Sequence, residues 1–358
     1  MFIIGVVLTI ALVIIAHEFG HFLFAKLSGV KVEQFALGFG KQKIWSHKKG
    51  DTEYSIRPFI LGGFVKMLGD SPTSNEEEKK DPRSFLKAKM GRRALIVGAG
   101  PFFNFLLAFL IFSFIYFLYG VPVTIEGTTD YVEVASIVED SPAEGAGIMA
   151  GDKIVSVFYG DEYINTNLSD RIQDFALLHS GQEVQVEVER GLEKLTISIT
   201  PNPLMGIGFG GNTEIVRQPF YKVFWYSARD VVDVSITTVK YFGYIITNAV
   251  GGGNLFKEVG GIIRIAELSG DFMTLGIIPW LGFVALISIN LAVLNLLPIP
   301  ILDGGHLLFM AIEKLKGSPV GEKITNFANS IGVVFVVFIL LLTLYNDIPR
   351  LFTRIFSG

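Results

Sequence analysis

The stretch Phe2–Leu27, FIIGVVLTIALVIIAHEFGHFLFAKL, decides the architecture. From Phe2 to Ala16 it carries no charged side chain, and after His21 it returns to Phe22, Leu23 and Phe24. Length and apolarity together match a bilayer-spanning helix, which needs about 20 such residues. Inside the run sits His17-Glu18-Phe19-Gly20-His21. Two histidines four residues apart project from one face of a helix and can share a metal ion. Glu18 beside them can take a proton from a water activated there, which is the H-E-x-x-H pattern of zinc hydrolases. Ionisable groups are expensive in hydrocarbon, so their presence in a span points to function rather than to incidental histidines. A signal peptide fits less well, because no basic residues precede the apolar run and a Glu and two His interrupt it.

Composition agrees with a membrane protein. Half of the 358 residues are hydrophobic and 31 are Phe, too apolar for a typical soluble enzyme. The chain has no cysteine, which excludes disulfides, thiolate metal ligands and cysteine nucleophiles and leaves His and carboxylates to hold any metal. The net charge of −4 comes with no basic, aromatic-studded patch of the kind that binds nucleic acid.

Four segments are long and apolar enough to span: Phe2–Leu27, Ala94–Tyr119, Leu275–Leu297 and Ile324–Tyr345. The loop from Lys31 to Arg93 carries 14 Lys or Arg, against 10 in the much longer Gly120–Thr274. The excess of basic residues places that first loop in the cytoplasm and the long insert outside. The sequence therefore predicts a polytopic α-helical membrane protein of about four transmembrane helices, with a membrane-associated β-hairpin and an inserted α+β domain. Its divisions are a membrane core over 1–119, an extracytoplasmic domain over 120–203, amphipathic interfacial linker helices over 204–274, and a second part of the membrane core over 275–358.

In the first loop, Lys31–Phe39, Lys43–His47 and Thr52–Arg57 have strand character and read as a small meander or hairpin. Pro58–Met67, containing Gly62, Gly63 and Phe64, is too apolar for a free loop and too short to span, and reads as a re-entrant hairpin. In the insert, Val132–Val138, Ile154–Val157, Glu183–Glu189 and Leu195–Thr200 read as strands and Asp170–His179 as a short helix. Gln218–Val250 reads as an amphipathic helix at the outer membrane surface, followed by a second candidate interfacial helix, Gly261–Leu268. His47 and His179 lie in polar segments and read as surface residues.

The third span ends in Asn290-Leu-Ala-Val-Leu-Asn295-Leu-Leu-Pro-Ile-Pro-Ile-Leu-Asp303-Gly-Gly-His306. Zinc hydrolases commonly use three protein ligands, and two His with one carboxylate is a known set. Asp303 is the best carboxylate. Spans one and three run in the same direction, so His17, His21 and Asp303 fall at similar depth toward the cytoplasmic side. His306, past the Gly-Gly pair, reads as a supporting residue. Asn295 and Asn290 are candidates to bind substrate backbone, Asn295 first because it lies nearer Asp303, with an interhelical hydrogen bond as the simpler alternative for either.

These motifs resemble the site-2 protease family of intramembrane zinc metalloproteases, on its bacterial, RseP-like sigma-E-regulator branch. His17–His21 matches the family's zinc helix, Asn295–Gly305 its third-span motif, Gly62–Met67 its membrane-associated β-hairpin, and Ala99-Gly-Pro-Phe-Phe-Asn104 its second-span motif. The run Ser141-Pro-Ala-Glu-Gly-Ala-Gly-Ile-Met-Ala-Gly-Asp152-Lys-Ile154 resembles the PDZ domains of bacterial proteases. One such unit is legible, where the best-known Gram-negative members carry two. The resemblance implies one Zn²⁺ per chain, a bacterial cytoplasmic-membrane location, and cleavage of single-pass transmembrane proteins such as anti-sigma factors or remnant signal peptides. A peptide or substrate tail is the expected partner of the PDZ-like domain. Two other classes were weighed against the residues. A metal transporter needs polar residues at several depths, and only one cluster exists. A non-catalytic, zinc-containing PDZ adaptor has no use for Glu18.

Overall fold

The computed structural model describes residues 2–70, 75–124, 131–138, 141–165, 169–191, 193–202, 204–210, 213–250, 262–318, 320–321, 323–334, 336–338 and 341. The chain divides into two compact units. One comprises Met1–Ile115, Phe224–Tyr241 and Asn254–Gly358, and the other Tyr116–Val223 and Phe242–Gly253.

The first unit opens with helix α1 (Phe2–Leu27), apolar apart from Thr9, the His17–His21 turn and Lys26, and free of proline. Four strands follow: β1 (Val32–Phe39), β2 (Trp45–Lys49), β3 (Thr52–Ile56) and β4 (Phe59–Met67). They form one sheet in the order β2-β3-β1-β4. β1 and β3 are parallel, whereas β1 and β4 are antiparallel with Phe35 opposite Val65 and Leu37 opposite Gly63. The expected hairpin is present as β2 and β3, antiparallel with Lys49 opposite Thr52, but it joins a mixed sheet rather than a meander, and Pro58–Met67 is not a hairpin but supplies a single edge strand.

The reason lies in the two glycines, which suggest a turn but serve a close approach. A Cβ at Gly62 would overlap the Phe39 ring, and one at Gly63 would lie 2.9 Å from Ile14 Cγ2 and 3.1 Å from Glu18 Cγ. Glycine inside a strand is the residue that permits such contact.

A short helix α2 (Glu76–Lys80), closed at its start by a capping box between Asn75 and Glu78, leads to α3 (Met90–Tyr119). α3 meets α1 at two glycines. A Cβ at Gly20 would collide with the Ala99 carbonyl, and one at Gly100 with the imidazoles of His17 and His21.

The second unit is β-rich. It holds β5 (Val121–Thr124), β6 (Val132–Ile137), α4 (Pro142–Ala146), β7 (Lys153–Tyr159), β8 (Glu162–Asn165) and α5 (Ser169–Leu178). β9 (Val184–Arg190), β10 (Glu193–Ile199), β11 (Ile207–Gly210) and β12 (Thr213–Val216) complete it. Its main sheet runs β10-β9-β7-β6-β11, with β8 on β7, while β12 pairs with β5. Alternation in β9 (Val184, Val186, Val188) feeds a core with Ile154, Val157, Ile172 and Phe175.

The Ser-Pro…Gly-Asp run is a structural lock. The Ser141 hydroxyl accepts from the Glu144 amide, and Gly147 ends α4 in the left-handed conformation. Buried Asp152 receives two hydrogen bonds of 2.7 Å from Arg190 and one of 2.8 Å from the Met149 amide. The Arg190 guanidinium holds the Asp152 carboxyl below its ordinary range. His179, expected at the surface, is buried between the rings of Tyr159 and Phe175, with Nδ1 3.2 Å from Gln182 Oε1. His47 is exposed on β2.

Helices α6 (Phe220–Val250), α7 (Ile262–Leu275), α8 (Ile277–Leu296) and α9 (Asp303–Lys316) follow. Val13 of α1, Ala108 of α3, Val231 of α6 and Trp280, Val284 and Ile289 of α8 share one core cluster. Thr9 is fully buried in α1, where its hydroxyl pairs with Ser269 of α7 at 2.7 Å and accepts from Trp280 Nε1 at 2.8 Å. Three helices among the described residues are long and apolar enough to cross a membrane: Ile4–Leu27, Met90–Tyr119 and Ile277–Leu296. The last part of the expected fourth span, Ile324–Tyr345, lies outside the described residues, which carry a shorter apolar helix over Lys323–Phe338.

Candidate functional site

α1 brings His17 and His21 to one face, and the start of α9 brings Asp303 against them. His17 Nε2 lies 3.2 Å and His21 Nε2 3.5 Å from Asp303 Oδ2, and the two Nε2 atoms are 3.2 Å apart. The rings are nearly perpendicular, at 87°. A tetrahedral ion with bonds of about 2.0–2.1 Å has donor–donor edges of about 3.3 Å, so this triangle has the dimensions of one face of a zinc tetrahedron.

The donor chemistry agrees with the geometry. His21 Nδ1 is 2.9 Å from the Ile96 carbonyl, which can only accept. Nδ1 therefore carries the proton and Nε2 offers its lone pair. Asp303 Oδ2 is buried without a hydrogen bond among the described residues. Two acceptor atoms, His21 Nε2 and Asp303 Oδ2, converge there with His17 Nε2, a donor set that suits a cation when His17 carries its proton on Nδ1. Zinc fits these residues.

Glu18 follows His17 on α1, within electrostatic range of both histidines and Asp303, and its Cγ lies against Gly63 of β4. β4 is an edge strand, so among the described residues no further strand pairs with its outer margin. Gly62, Gly63 and Phe64 all lie on that strand, and Phe64 stacks on Phe39 with the Arg57 guanidinium 5.0 Å from its ring.

The two asparagines of α8 differ. Asn290 Oδ1 accepts from the Thr238 hydroxyl of α6 at 2.7 Å. Asn295 sits half-buried in the last turn of α8, two residues before its C-cap at Leu297. His306 is exposed on α9.

Two features escaped the sequence reading. Asn104, wholly buried in α3, places its amide 3.3 Å from His17 Nδ1; its spacing of one helical turn from Gly100 could have pointed to the α1-facing side. Ile301, two residues before Asp303, has φ of 81°. That conformation is strained for a β-branched side chain, and no local sequence pattern announces it.

Known proteins resemble this chain over nearly its whole length. The sequence model of peptidase family M50 matches residues 5–339. A protein of Rickettsia conorii named as a zinc metalloprotease is 33% identical over 98% of this chain and 99% of its own length. Another so named, from Clostridium perfringens, is 33% identical over 97% of this chain and 98% of its own length. Protease RseP of Yersinia pestis is 30% identical over 96% of this chain and 98% of its own. Its alignment runs to 455 positions against the 358 residues here, so the relative carries additional sequence. The chain belongs to peptidase family M50, the site-2 protease family, and is a membrane-embedded zinc metalloprotease.

Proposed function

We propose that the protein is an intramembrane endopeptidase that cuts single-pass transmembrane proteins, of the anti-sigma-factor or remnant-signal-peptide kind, with His17, His21 and Asp303 as zinc ligands and Glu18 as the base. The observation that carries this reading is the triangle of His17 Nε2, His21 Nε2 and Asp303 Oδ2 held beside the edge strand β4. Zinc bound there supplies a Lewis acid that polarises the scissile carbonyl and makes water acidic.

Glu18 takes the proton of the attacking water as its oxygen bonds to the carbonyl carbon. When the C–N bond breaks, Glu18 returns that proton to the leaving nitrogen. A helical substrate hides its carbonyls in internal hydrogen bonds and must unwind before attack. The outer edge of β4 suits the unwound segment, because added strands bind by backbone pairing. Val65 and Gly63 stand opposite Phe35 and Leu37 of β1. Gly63, two residues earlier, offers its N–H and C=O on the same side as Val65. Asn295 is the better placed amide to hold substrate backbone, since Asn290 is engaged by Thr238.

The β-rich unit reads as a PDZ-like domain on the extracytoplasmic side, with the site toward the cytoplasm. Between α5 and the edge strand β11 it has a groove of about 200 Å³ lined by Ile172, Ala176, Leu204, Met205 and Phe209. Such a groove suits an apolar peptide end added beside β11.

The test is cleavage of a tagged single-span reporter with a short outer domain, co-expressed with wild type or Glu18→Gln at equal protein levels. Product with wild type alone, with zinc content unchanged in the variant, is the expected result. Equal product from both would remove Glu18 from the reaction.

A further inference from the structure

The face of α3 bearing Ile96, Gly100 and Asn104, each one turn apart, backs both histidines. Ile96 gives its carbonyl to His21 Nδ1 at 2.9 Å. Gly100 leaves the space that the two imidazoles occupy. Asn104 stands 3.3 Å from His17 Nδ1. Its position is fixed independently of its side chain, because its backbone carbonyl accepts from Ser288 of α8 at 2.9 Å.

We infer that Asn104 is a positioning residue for metal binding: its side-chain oxygen accepts from His17 Nδ1–H and so holds His17 in the tautomer whose Nε2 lone pair faces Asp303. Only the Asn104 amide is paired with His17 Nδ1 among the described residues. An imidazole that ligates through Nε2 needs an acceptor at Nδ1, and the partner found there governs ligand basicity and ring orientation. An Asn amide can present either end, oxygen or nitrogen, after a half-turn about its last torsion. The amide nitrogen faces His17, and Asn104 Oδ1 is buried with no partner among the described residues. The half-turn gives that oxygen the Nδ1–H, and at the same time frees Nε2 for the ion. One helix thus sets both tautomers, through a backbone carbonyl for His21 and a side chain for His17. Only the second can be altered by substitution.

The inference rests on the zinc-site reading above, and its test separates the two. Full-length wild type, Asn104→Leu, Asn104→Asp and His17→Ala, purified in detergent, are compared for zinc affinity by competition with a chelator, alongside apo-protein melting. Asn104→Leu keeps approximate shape but accepts nothing, and is expected to weaken zinc binding by about 10–100-fold. Asn104→Asp offers only acceptors and is expected to restore affinity to within about threefold of wild type, a rescue that space-filling alone does not give. If Asn104→Leu does not fold, Asn104→Ala takes its place in the same comparison. Wild-type affinity in Asn104→Leu, or an equal loss in Asn104→Asp, overturns the role of Asn104 while leaving the site intact. Undiminished zinc binding by His17→Ala overturns the site reading as well.

Discussion

Substituting Gly100 by Ala adds one methyl group at the tightest point behind the site. That Cβ would stand 2.5 Å from His21 Cε1 and 2.7 Å from His17 Cε1, and nearer still to His21 Nε2. Ordinary contact between carbons begins at about 3.5 Å, so each ring must retreat by about 0.8–1 Å. Moving α1 as a whole away from α3 would also open its close seating at Gly20 on the Ala99 carbonyl. Metal ligands tolerate about 0.2 Å, and a displacement of about 1 Å in a working site reduces rate about 100-fold. Overpacking of this kind also destabilises by about 1–3 kcal/mol. Elsewhere in a helix the same substitution is favourable by about 1 kcal/mol. Gly98, on the same helix with nothing within 4 Å of a built Cβ, is the internal control. Zinc content, reporter cleavage and melting temperature are measured for both variants. Gly98→Ala should match or exceed wild type, and Gly100→Ala should lose zinc and activity together. A Gly100→Ala protein with wild-type zinc content would refute the claim that this glycine shapes the site.

Further outcomes follow from groups outside the spans. Asp152, depressed by Arg190, adds stability to the β-rich unit above the ordinary carboxylate pKa, and that stability is lost as pH falls through its lower folded value. Arg190→Met should destabilise this unit by about 1–3 kcal/mol at neutral pH and flatten its acid transition, read by thermal melting from pH 3 to 7. Asp70 behaves oppositely. Burial raises its carboxyl to about 6, although Oδ2 accepts from the Met67 amide at 2.8 Å. Its ionisation opposes folding as pH rises from about 4 to 6, so Asp70→Asn should gain on the order of 1 kcal/mol over wild type at pH 7 and nothing at pH 4. Ile301→Gly should relieve a backbone penalty of about 1–3 kcal/mol and raise the melting temperature; a lower one would show that the side chain outweighs the strain.

The part of the candidate site on α1 was legible as geometry because it is local. His17, Glu18 and His21 lie on one turn, and helical spacing alone fixes their common face. Asp303 was legible through depth, as two spans running in the same direction bring their ends level. The sheet was not, because the parallel pairing of β1 with β3 joins segments whose order in the chain predicts neighbours that do not pair. The Gly62-Gly63 pair could mark a turn or a close approach, and only the positions of Phe39, Ile14 and Glu18 decide between them. His179 sits before Ser180-Gly181-Gln182, a polar run that conceals the ring's burial against Tyr159 and Phe175. For Asn104 and Asn290, an amide in a span announces that a partner exists but not which one. One proved to face a histidine and the other a threonine.

The close seating of α1 on α3 at Gly20 and Gly100 also bears on which ions the protein accepts. The donor triangle of 3.2–3.5 Å bears on ionic size as well as on donor type, with two imidazole nitrogens and one hard carboxylate oxygen. Calcium, with bonds of about 2.3–2.6 Å and a need for six to eight oxygens, is too large and too demanding for it. Magnesium fits by size but not by its preference for oxygen and six-fold coordination. The methyl group missing from each glycine is what lets the two helices, and the histidine rings between them, sit this close.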